Sequence, residues 1–240
     1  MRAPSDPLAA AARLLARRLD RLGRVSDERG RLTRTFLSPA MARAGALVGG
    51  WMREAGLAVR EDAAGNLVGR REGAARRART LLLGSHLDTV RDAGRFDGAL
   101  GVLLPVVALA ELRRQGVELP FAVEVLGFSE EEAVRFSGAY LGSKAYAGRL
   151  RAADLRLRDA RGRSLREALE ERAGRPFRLP RRAHAPRELL GYVETHIEQG
   201  PLLEQRNLAV GVVSAIASQT RGRLAFRGRA GHAGTTPMAL

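Results

Sequence analysis

The chain has 240 residues, 45% of them hydrophobic, which is enough apolar sequence to bury the core of a substantial domain and excludes a disordered chain. The absence of cysteine excludes disulfide scaffolds, thiolate metal sites and cysteine nucleophiles. The formal charge of +15 would favour an anionic partner such as nucleic acid, but Lys144 is the only lysine and the arginines are spread along the chain, so we interpret the charge as a compositional bias.

The sequence has no features of a signal peptide or a membrane span. Residues 1–22 carry arginines and an acidic residue within their apolar pattern. The longest uncharged apolar run, residues 99–110, contains Pro105 and is shorter than the roughly 18 residues that a membrane helix needs. We therefore expect a cytoplasmic protein with neither a membrane nor a nucleic acid as partner.

The first part of the chain predicts two helices and three short strands. Asp6 and Pro7 form a helix start signal ahead of leucines at helical spacing, and Ser38 and Pro39 repeat that signal. Gly56 is a suitable stop for the second helix. The predicted elements are helices over residues 8–22 and 42–51 and strands over residues 57–60, 66–68 and 80–84.

From residue 80 onward, strands and helices alternate, which predicts a layered α/β domain with ligands beyond the carboxyl ends of its strands. Residues 149–187 are basic and interrupted by Gly and Pro, and predict a surface excursion with a short helix near residues 164–172. The alternating elements are a strand over residues 80–85, a helix over 98–115, a strand over 121–128, a helix over 142–148 and a strand over 192–196.

The last part of the sequence predicts the beginning of a second domain. Residues 208–217 and 221–227 are β-rich, but two strands and a glycine-rich loop cannot bury a core alone. We therefore assign residues 1–209 to a first domain and residues 210–240 to an incomplete second one. We expect the chain by itself to be an unstable or inactive fragment, because sheet edges and apolar helix faces would stay uncovered.

Histidines follow two of the predicted strands. His86 is followed two residues later by Asp88, whose carboxylate can hold the second ring nitrogen of a ligating imidazole. His196 ends a later strand. Each pattern alone is more typical of a structural hydrogen bond or a satisfied core histidine. His184 lies in the basic excursion, and no pattern around it indicates a partner.

Carboxylates cluster at the same strand ends. Asp97 stands before Gly98 at a predicted helix start, where its alternative role is that of a helix cap. Glu130, Glu131 and Glu132 follow an apolar strand, and clustered carboxylates repel each other unless a cation relieves them, although an isolated acidic run is usually solvated. The set of two histidines and several carboxylates favours a divalent metal site for Zn²⁺ or Mn²⁺.

Five motifs stand in order between residue 84 and the last residues of the chain. They are Gly84-Ser85-His86-Leu87-Asp88-Thr89-Val90, Gly94-Arg95-Phe96-Asp97-Gly98-Ala99-Leu100-Gly101, Glu131-Glu132-x-x-Arg135-Phe136, Glu194-x-His196-Ile197-Glu198-Gln199-Gly200-Pro201 and Gly231-His232-Ala233-Gly234-Thr235-Thr236-Pro237-Met238. Together they resemble the amidase branch of the M20 metallohydrolases, which contains allantoate amidohydrolases, N-carbamoyl-L-amino acid hydrolases and β-ureidopropionases.

The resemblance implies a three-layer, zinc-peptidase-like α/β catalytic domain followed by the start of an α+β lid and dimerisation domain. It implies a homodimer that uses two divalent metal ions per subunit, zinc or manganese, with cobalt or nickel as alternatives. The implied reaction cleaves the linear amide or ureido C–N bond of allantoate or an N-carbamoyl-L-amino acid and releases ammonia and CO₂.

The resemblance also implies roles for single residues on the metals. His86 and Glu132 would be terminal ligands of different metals, Asp97 would bridge the two metals, and His196 would be a further ligand. Asp88 would orient His86. The family's last histidine ligand and its carboxylate-binding residues have no counterpart in this sequence.

For catalysis, the resemblance implies that Glu131 is the general base. His232 would face the oxyanion of the tetrahedral intermediate, reaching the site of a partner subunit, and Gln199 would contact substrate. The family usually has Gly where this chain has Ala133. A third glutamate, Glu130, allows the acidic motif to be aligned one position earlier, so we fix its alignment on Arg135 and Phe136.

Two other functions remain open at this level. An M20 metallopeptidase or an aminoacylase-type deacylase would share the fold, although peptidase relatives carry an acidic ligand where His196 stands. A nucleic-acid binder would account for the charge, although only 5% of the residues are aromatic. Its binding would weaken steeply with salt.

Overall fold

The computed structural model describes residues 6–218, 222, 224–225, 227–237 and 239. The chain forms two compact units, Met1–Ile197 and Glu198–Leu240. The boundary predicted between residues 209 and 210 lies inside the second unit.

The first unit alternates helices and strands as the sequence predicts. Its helices are α1 (Pro7–Gly23), α2 (Pro39–Glu54), α3 (Ala99–Arg114), α4 (Leu141–Tyr146) and α5 (Leu165–Ala173). Its strands are β1 (Ala58–Glu61), β2 (Leu67–Arg71), β3 (Thr80–His86), β4 (Ala122–Phe128) and β5 (Leu189–Val193). The second unit contains one short helix, α6 (Leu202–Gln205), in its described part.

The predicted start signals of α1 and α2 are confirmed. The Asp6 carboxylate accepts a hydrogen bond from the backbone N–H of Leu8 at 3.0 Å, and the Ser38 hydroxyl accepts one from that of Met41 at 3.1 Å. Each bond satisfies an amide that has no partner within its own helix. Gly56 follows the end of α2 with φ +86°, a left-handed conformation that glycine adopts without steric cost.

The five strands form one mixed sheet in the order β1-β2-β4-β3-β5. Strand β2 pairs antiparallel with both β1 and β4, whereas β3 pairs parallel with β4 and β5. Helix α3 is the crossover between the parallel strands β3 and β4, as such a connection requires. The carboxyl ends of β3, β4 and β5 therefore meet at one edge of the sheet.

The two faces of β4 bury alternate residues, because successive side chains of a strand point to opposite sides. Val123 and Val125 join the main hydrophobic core, which also takes in buried residues of α1, α2 and α3. On the other face, Leu126 packs with Val68, Leu82 and Tyr146. Fully buried aliphatic side chains on both faces contribute about 1.5–3 kcal/mol each to folding.

Three local predictions are wrong. The strand predicted at residues 192–196 is β5, which ends at Val193, so His196 lies in the loop beyond it. The described residues 208–217 form no strand, because no neighbouring strand supplies backbone partners. The excursion over residues 149–187 buries Leu165 and Leu169 of α5 in a second core cluster with Phe36 and Phe136, so it is a packed part of the unit.

The residues predicted as a strand at 221–227 lie in part outside the described residues, as does Met238 of the last motif. Within the described part of the chain, no helix combines the length and apolarity that crossing a membrane requires.

A charged residue, Glu124, lies buried in the middle of β4 with 2% of its surface exposed. The Tyr146 hydroxyl donates to its carboxylate, Arg70 Nη1 lies 3.2 Å from Oε1, and His184 Nε2 lies 3.2 Å from Oε2. His184 thus ties the 149–187 segment to the sheet. Burial raises the pKa of Glu124, but the hydrogen bonds from Tyr146 and His184 outweigh it and leave the pKa below its ordinary value.

We expect Glu124→Gln to reduce the pH dependence of the free energy of unfolding in the acid range. Because the pKa of Glu124 is lowered by folding, its ionised form stabilises the fold above the ordinary pKa of 4.5, and this contribution is lost as the pH falls through the folded-state pKa. At neutral pH the substitution should cost about 1–3 kcal/mol. Urea unfolding at several pH values, with the exposed Glu118→Gln as control, measures both effects; equal pH dependence in the two variants would contradict the expectation.

Candidate metal centre

The candidate centre lies where the parallel strands β3, β4 and β5 end. His86 is the last residue of β3, the acidic run begins at Glu130 just after β4, and His196 follows β5. Because these three strands are neighbours in the sheet, residues that are more than 100 positions apart in the sequence come together at one edge.

The imidazole of His86 is buried, with 3% of the residue exposed. Its Nδ1 lies 2.8 Å from the backbone carbonyl oxygen of Asp88 and 3.8 Å from the Asp88 carboxylate. The group nearest to this nitrogen is therefore the carbonyl of Asp88, where the sequence analysis expected the carboxylate. The contact directs Nε2 of the ring toward Asp97, whose Oδ1 lies 3.5 Å away.

The loop before α3 brings Asp97 up to the two histidines. The N-cap residue of α3 is Gly98, so Asp97 stands one position before the cap. Its Oδ1 lies 3.2 Å from Nε2 of His196. Gly98 has φ +63°, and a Cβ at this position would lie 2.5 Å from the His86 ring, so only glycine allows this approach.

The segment that carries His196 makes contacts that the sequence analysis did not assign. Glu194 contacts the hydroxyl of Ser85, next to His86, and its second carboxylate oxygen lies 2.8 Å from the hydroxyl of Tyr192. The imidazole rings of His196 and His86 stack with their centroids 5.9 Å apart. The spacing Glu194-x-His196 mirrors His86-x-Asp88 and is the signal that could have indicated a supporting carboxylate.

The three glutamates after β4 have different surroundings. Glu131 and Glu132 are half-buried, and their backbone N–H groups donate to the two carboxylate oxygens of Asp88, each at 3.1 Å. Glu130 is fully buried, and burial raises its pKa to about 7. Burial likewise raises the pKa values of Glu131 and Glu132, and the charges of neighbouring carboxylates such as Asp88 add to this.

Two groups of side chains place their donor atoms within 4.8 Å of one another, and both include His86. The first group is His86, Asp97 and His196, and the second is His86, Glu131 and Glu132. Two donors that each lie about 2.0–2.2 Å from one tetrahedral ion are roughly 3.3–3.6 Å apart, which the 3.5 and 3.2 Å separations in the first group nearly match.

The electrostatics of the cluster also fit a cation. Burial lowers the pKa of His86, but the Asp97 contact and the charges of Asp88 and Glu131 outweigh it and raise the pKa to about 9. The surrounding carboxylates thus favour a positive charge at this place, which a divalent cation would supply. Imidazole and carboxylate donors suit Zn²⁺ and Mn²⁺, so the residues present fit a divalent metal.

Gln199 and His232 belong to the second unit, Glu198–Leu240. His232 is exposed, and its Nδ1 accepts a hydrogen bond from the backbone N–H of Gly234 at 3.1 Å. Glu198 accepts hydrogen bonds from the backbone at the start of α6. The substrate and oxyanion contacts expected of Gln199 and His232 stay predictions.

Imidazoles and carboxylates gathered at the carboxyl ends of parallel strands are features of the α/β metallohydrolase class. Comparison with known proteins narrows the class to one family. The sequence model of the family described as Peptidase family M20/M25/M40 matches residues 82–236. The chain therefore belongs to this family. The family assignment confirms the resemblance that the five motifs carry, and it implies divalent metal ions.

The relatives with known names include several amidohydrolases. The chain is 47% identical over 227 residues to allantoate deiminase 2 of Glycine max, covering 93% of this chain and 47% of that protein. It is 45% identical to the N-carbamoyl-L-amino acid amidohydrolase of Geobacillus stearothermophilus, covering 94% and 56%. The chain thus spans about half the length of the curated relatives that it matches.

Solved structures of amidases have a fold similar to that of this chain. A hydantoinase/carbamoylase family amidase from Burkholderia ambifaria superposes with a TM-score of 0.72 at 38% sequence identity, covering 82% of this chain and 47% of that one. This match confirms the predicted α/β fold class.

Proposed function

We propose that this chain carries the metal-binding half of a hydrolase that cleaves the ureido C–N bond of allantoate or an N-carbamoyl-L-amino acid. The observation that carries the proposal is the pair of donor groups that share His86, one with Asp97 and His196 and the other with Glu131 and Glu132, whose donor atoms lie within 4.8 Å of one another inside each group. The names of the relatives in the same family supply the substrate class.

In this proposal the centre holds two divalent ions per subunit, zinc or manganese. His86 and Glu132 would be terminal ligands of different ions, Asp97 would give its carboxylate to both ions, and His196 would be a further ligand. The clustering of donor atoms supports a metal centre, and the division of His86 and Glu132 between different ions rests on the resemblance to the family, because both residues stand in one donor group. Asp88 supports the centre through its carbonyl contact to His86.

The proposed reaction adds one water to the ureido carbonyl and releases ammonia. Divalent cations held by these donors would polarise the carbonyl and lower the pKa of the attacking water. Glu131 accepts a proton from this water as its oxygen adds to the carbon, and returns the proton to the leaving nitrogen as the C–N bond breaks. The carbamate that remains loses CO₂. The pKa of Glu131 is raised toward neutral pH, and a general base is most effective when its pKa lies near the pH at which the enzyme works.

The remaining parts of the proposal concern the assembly. Residues 1–209 form the catalytic domain, and residues 210–240 begin a lid and dimerisation domain of a cytoplasmic homodimer. In that homodimer His232 stabilises the oxyanion in the partner subunit's site, and Gln199 contacts substrate. The support for these roles is the resemblance of their motifs to those of the family.

Metal content and ammonia release test the proposal together. We expect the purified chain to retain divalent metal after desalting, and the variant His86→Ala to retain less, because both donor groups include His86. Ammonia release is followed with allantoate and with N-carbamoyl-L-amino acids, and N-acetyl amino acids serve as the matched substrate for a deacylase. Equal metal content in the unsubstituted chain and in His86→Ala would contradict the assignment of His86 as a ligand. Acetate release without ammonia release would favour the deacylase.

A further inference from the structure

We propose that Glu130 is a positioning residue, whose buried carboxylate holds the loop after β4 so that Glu131 and Glu132 face His86. The inference deepens the proposed function and rests on it. The sequence presents three identical side chains in a row, and only their surroundings in the fold distinguish them. Glu131 and Glu132 belong to a donor group with His86, whereas Glu130 belongs to neither of the two donor groups.

The contacts of Glu130 lie within its own loop. Its Oε1 accepts hydrogen bonds from the backbone N–H groups of Arg135 at 3.0 Å and Phe136 at 2.8 Å. The residue has 0% of its surface exposed, so these bonds form away from water. A buried acceptor that bonds two amides five and six positions later closes the base of the loop.

The far side of this closure is anchored in the core. Phe136 is 1% exposed, and its ring packs edge-on against Phe36 with 6.1 Å between the centroids. Arg135 donates from Nη1 to the backbone carbonyl of Phe36 at 3.0 Å and pairs with Asp159 at 3.2 Å. The amides that Glu130 holds are therefore fixed in space, and the closure fixes the loop relative to the core.

The loop needs such a hold because its backbone is strained. Glu130, Ala133 and Ser137 have φ angles of +48°, +56° and +52°, in the left-handed region that non-glycine residues rarely adopt. Strained conformations persist only where surrounding contacts over-determine them.

Asp88 and Glu130 hold the loop at two points. Asp88 bonds the amides of Glu131 and Glu132, and Glu130 bonds those of Arg135 and Phe136. Glu131 and Glu132 lie inside the loop that Glu130 closes, and their amides are the point that Asp88 holds. Their direction toward His86 therefore depends on both buried carboxylates.

The test compares Glu130→Gln with Glu130→Met in the complete chain. Glutamine keeps an oxygen that can accept both amides, whereas methionine has a similar length and no such acceptor. We expect Glu130→Gln to bind Co²⁺ with nearly unchanged affinity and visible absorption spectrum, and Glu130→Met to bind it about 10-fold or more weakly with an altered spectrum. Glu132→Gln is the control that removes a proposed ligand. It should weaken Co²⁺ binding whether or not Glu130 positions the loop.

Amide hydrogen exchange provides a readout that is independent of metal. The amides of Arg135 and Phe136 should be protected in the wild-type chain and in Glu130→Gln, and should exchange faster in Glu130→Met. The inference would be overturned if Glu130→Gln bound Co²⁺ as weakly as Glu132→Gln does. This comparison can be made even if Glu130→Met fails to fold. A wild-type chain that binds no divalent metal while its two amides are protected would instead count against the proposed function alone.

Discussion

Replacing Gly98 with alanine is expected to weaken divalent-metal binding by about 10-fold or more, although no ligand is removed. The methyl group would lie 2.5 Å from ring atoms of His86, a distance at which the ring or the helix start must move. Gly98 also has φ +63° with ψ −47°, a sparsely populated conformation in which alanine adds about 1–3 kcal/mol of backbone strain. Both effects act on the imidazole that belongs to both donor groups.

Calorimetric titration with Zn²⁺ or Mn²⁺ measures the affinity, and urea unfolding measures the stability of the same protein. Gly94→Ala is the matched control, because Gly94 lies in the same loop and its added Cβ would meet nothing within 4 Å. Equal metal affinity in Gly98→Ala and Gly94→Ala would show that the close approach to His86 does not shape the centre.

Replacing Glu131 with glutamine is expected to lower turnover by about 10²–10⁴-fold while the metal content stays unchanged. Glutamine preserves the size of the side chain and the backbone bond to Asp88, but it cannot accept the proton of the attacking water. Glu132→Gln should behave differently, because we assign Glu132 to a metal. That variant should lose metal together with activity.

The two variants are compared by ammonia release and metal content, in a preparation whose unsubstituted counterpart turns over the same substrate. This pair separates a general base from a ligand, although the two residues are adjacent and share Asp88 as a backbone partner. Wild-type turnover in Glu131→Gln would show that another group is the base. Metal loss in Glu131→Gln but not in Glu132→Gln would exchange the two roles.

Together with the Glu130 variants, these substitutions assign a separate role to each member of the acidic run. A base, a ligand and a positioning residue give three different responses to the same Glu→Gln change. Such a series is informative because the three side chains are identical, so the differences arise from the fold alone.

Much of the fold could be predicted from the sequence because its signals are local. Ser38 and Pro39 mark the start of α2 through backbone geometry within four residues, and the apolar run of β4 indicates a strand buried on both faces. The order of strands and helices then predicts which strand ends adjoin. His86, Asp97 and His196 could be selected as candidates on this basis, and the motifs that contain them identify the family.

Only the tertiary structure decided how the individual side chains are used. In the fold, His184 contacts Glu124, and the Asp88 carboxylate accepts hydrogen bonds from the amides of Glu131 and Glu132. Glu130 is buried, whereas Glu131 and Glu132 form a donor group with His86. These outcomes depend on contacts between distant segments and on left-handed backbone angles, neither of which leaves a signal in local composition. The sequence by itself determined which residue types are available for chemistry. Their division into ligands, supports and core followed from packing, because burial and hydrogen bonding differ between adjacent residues of the same type.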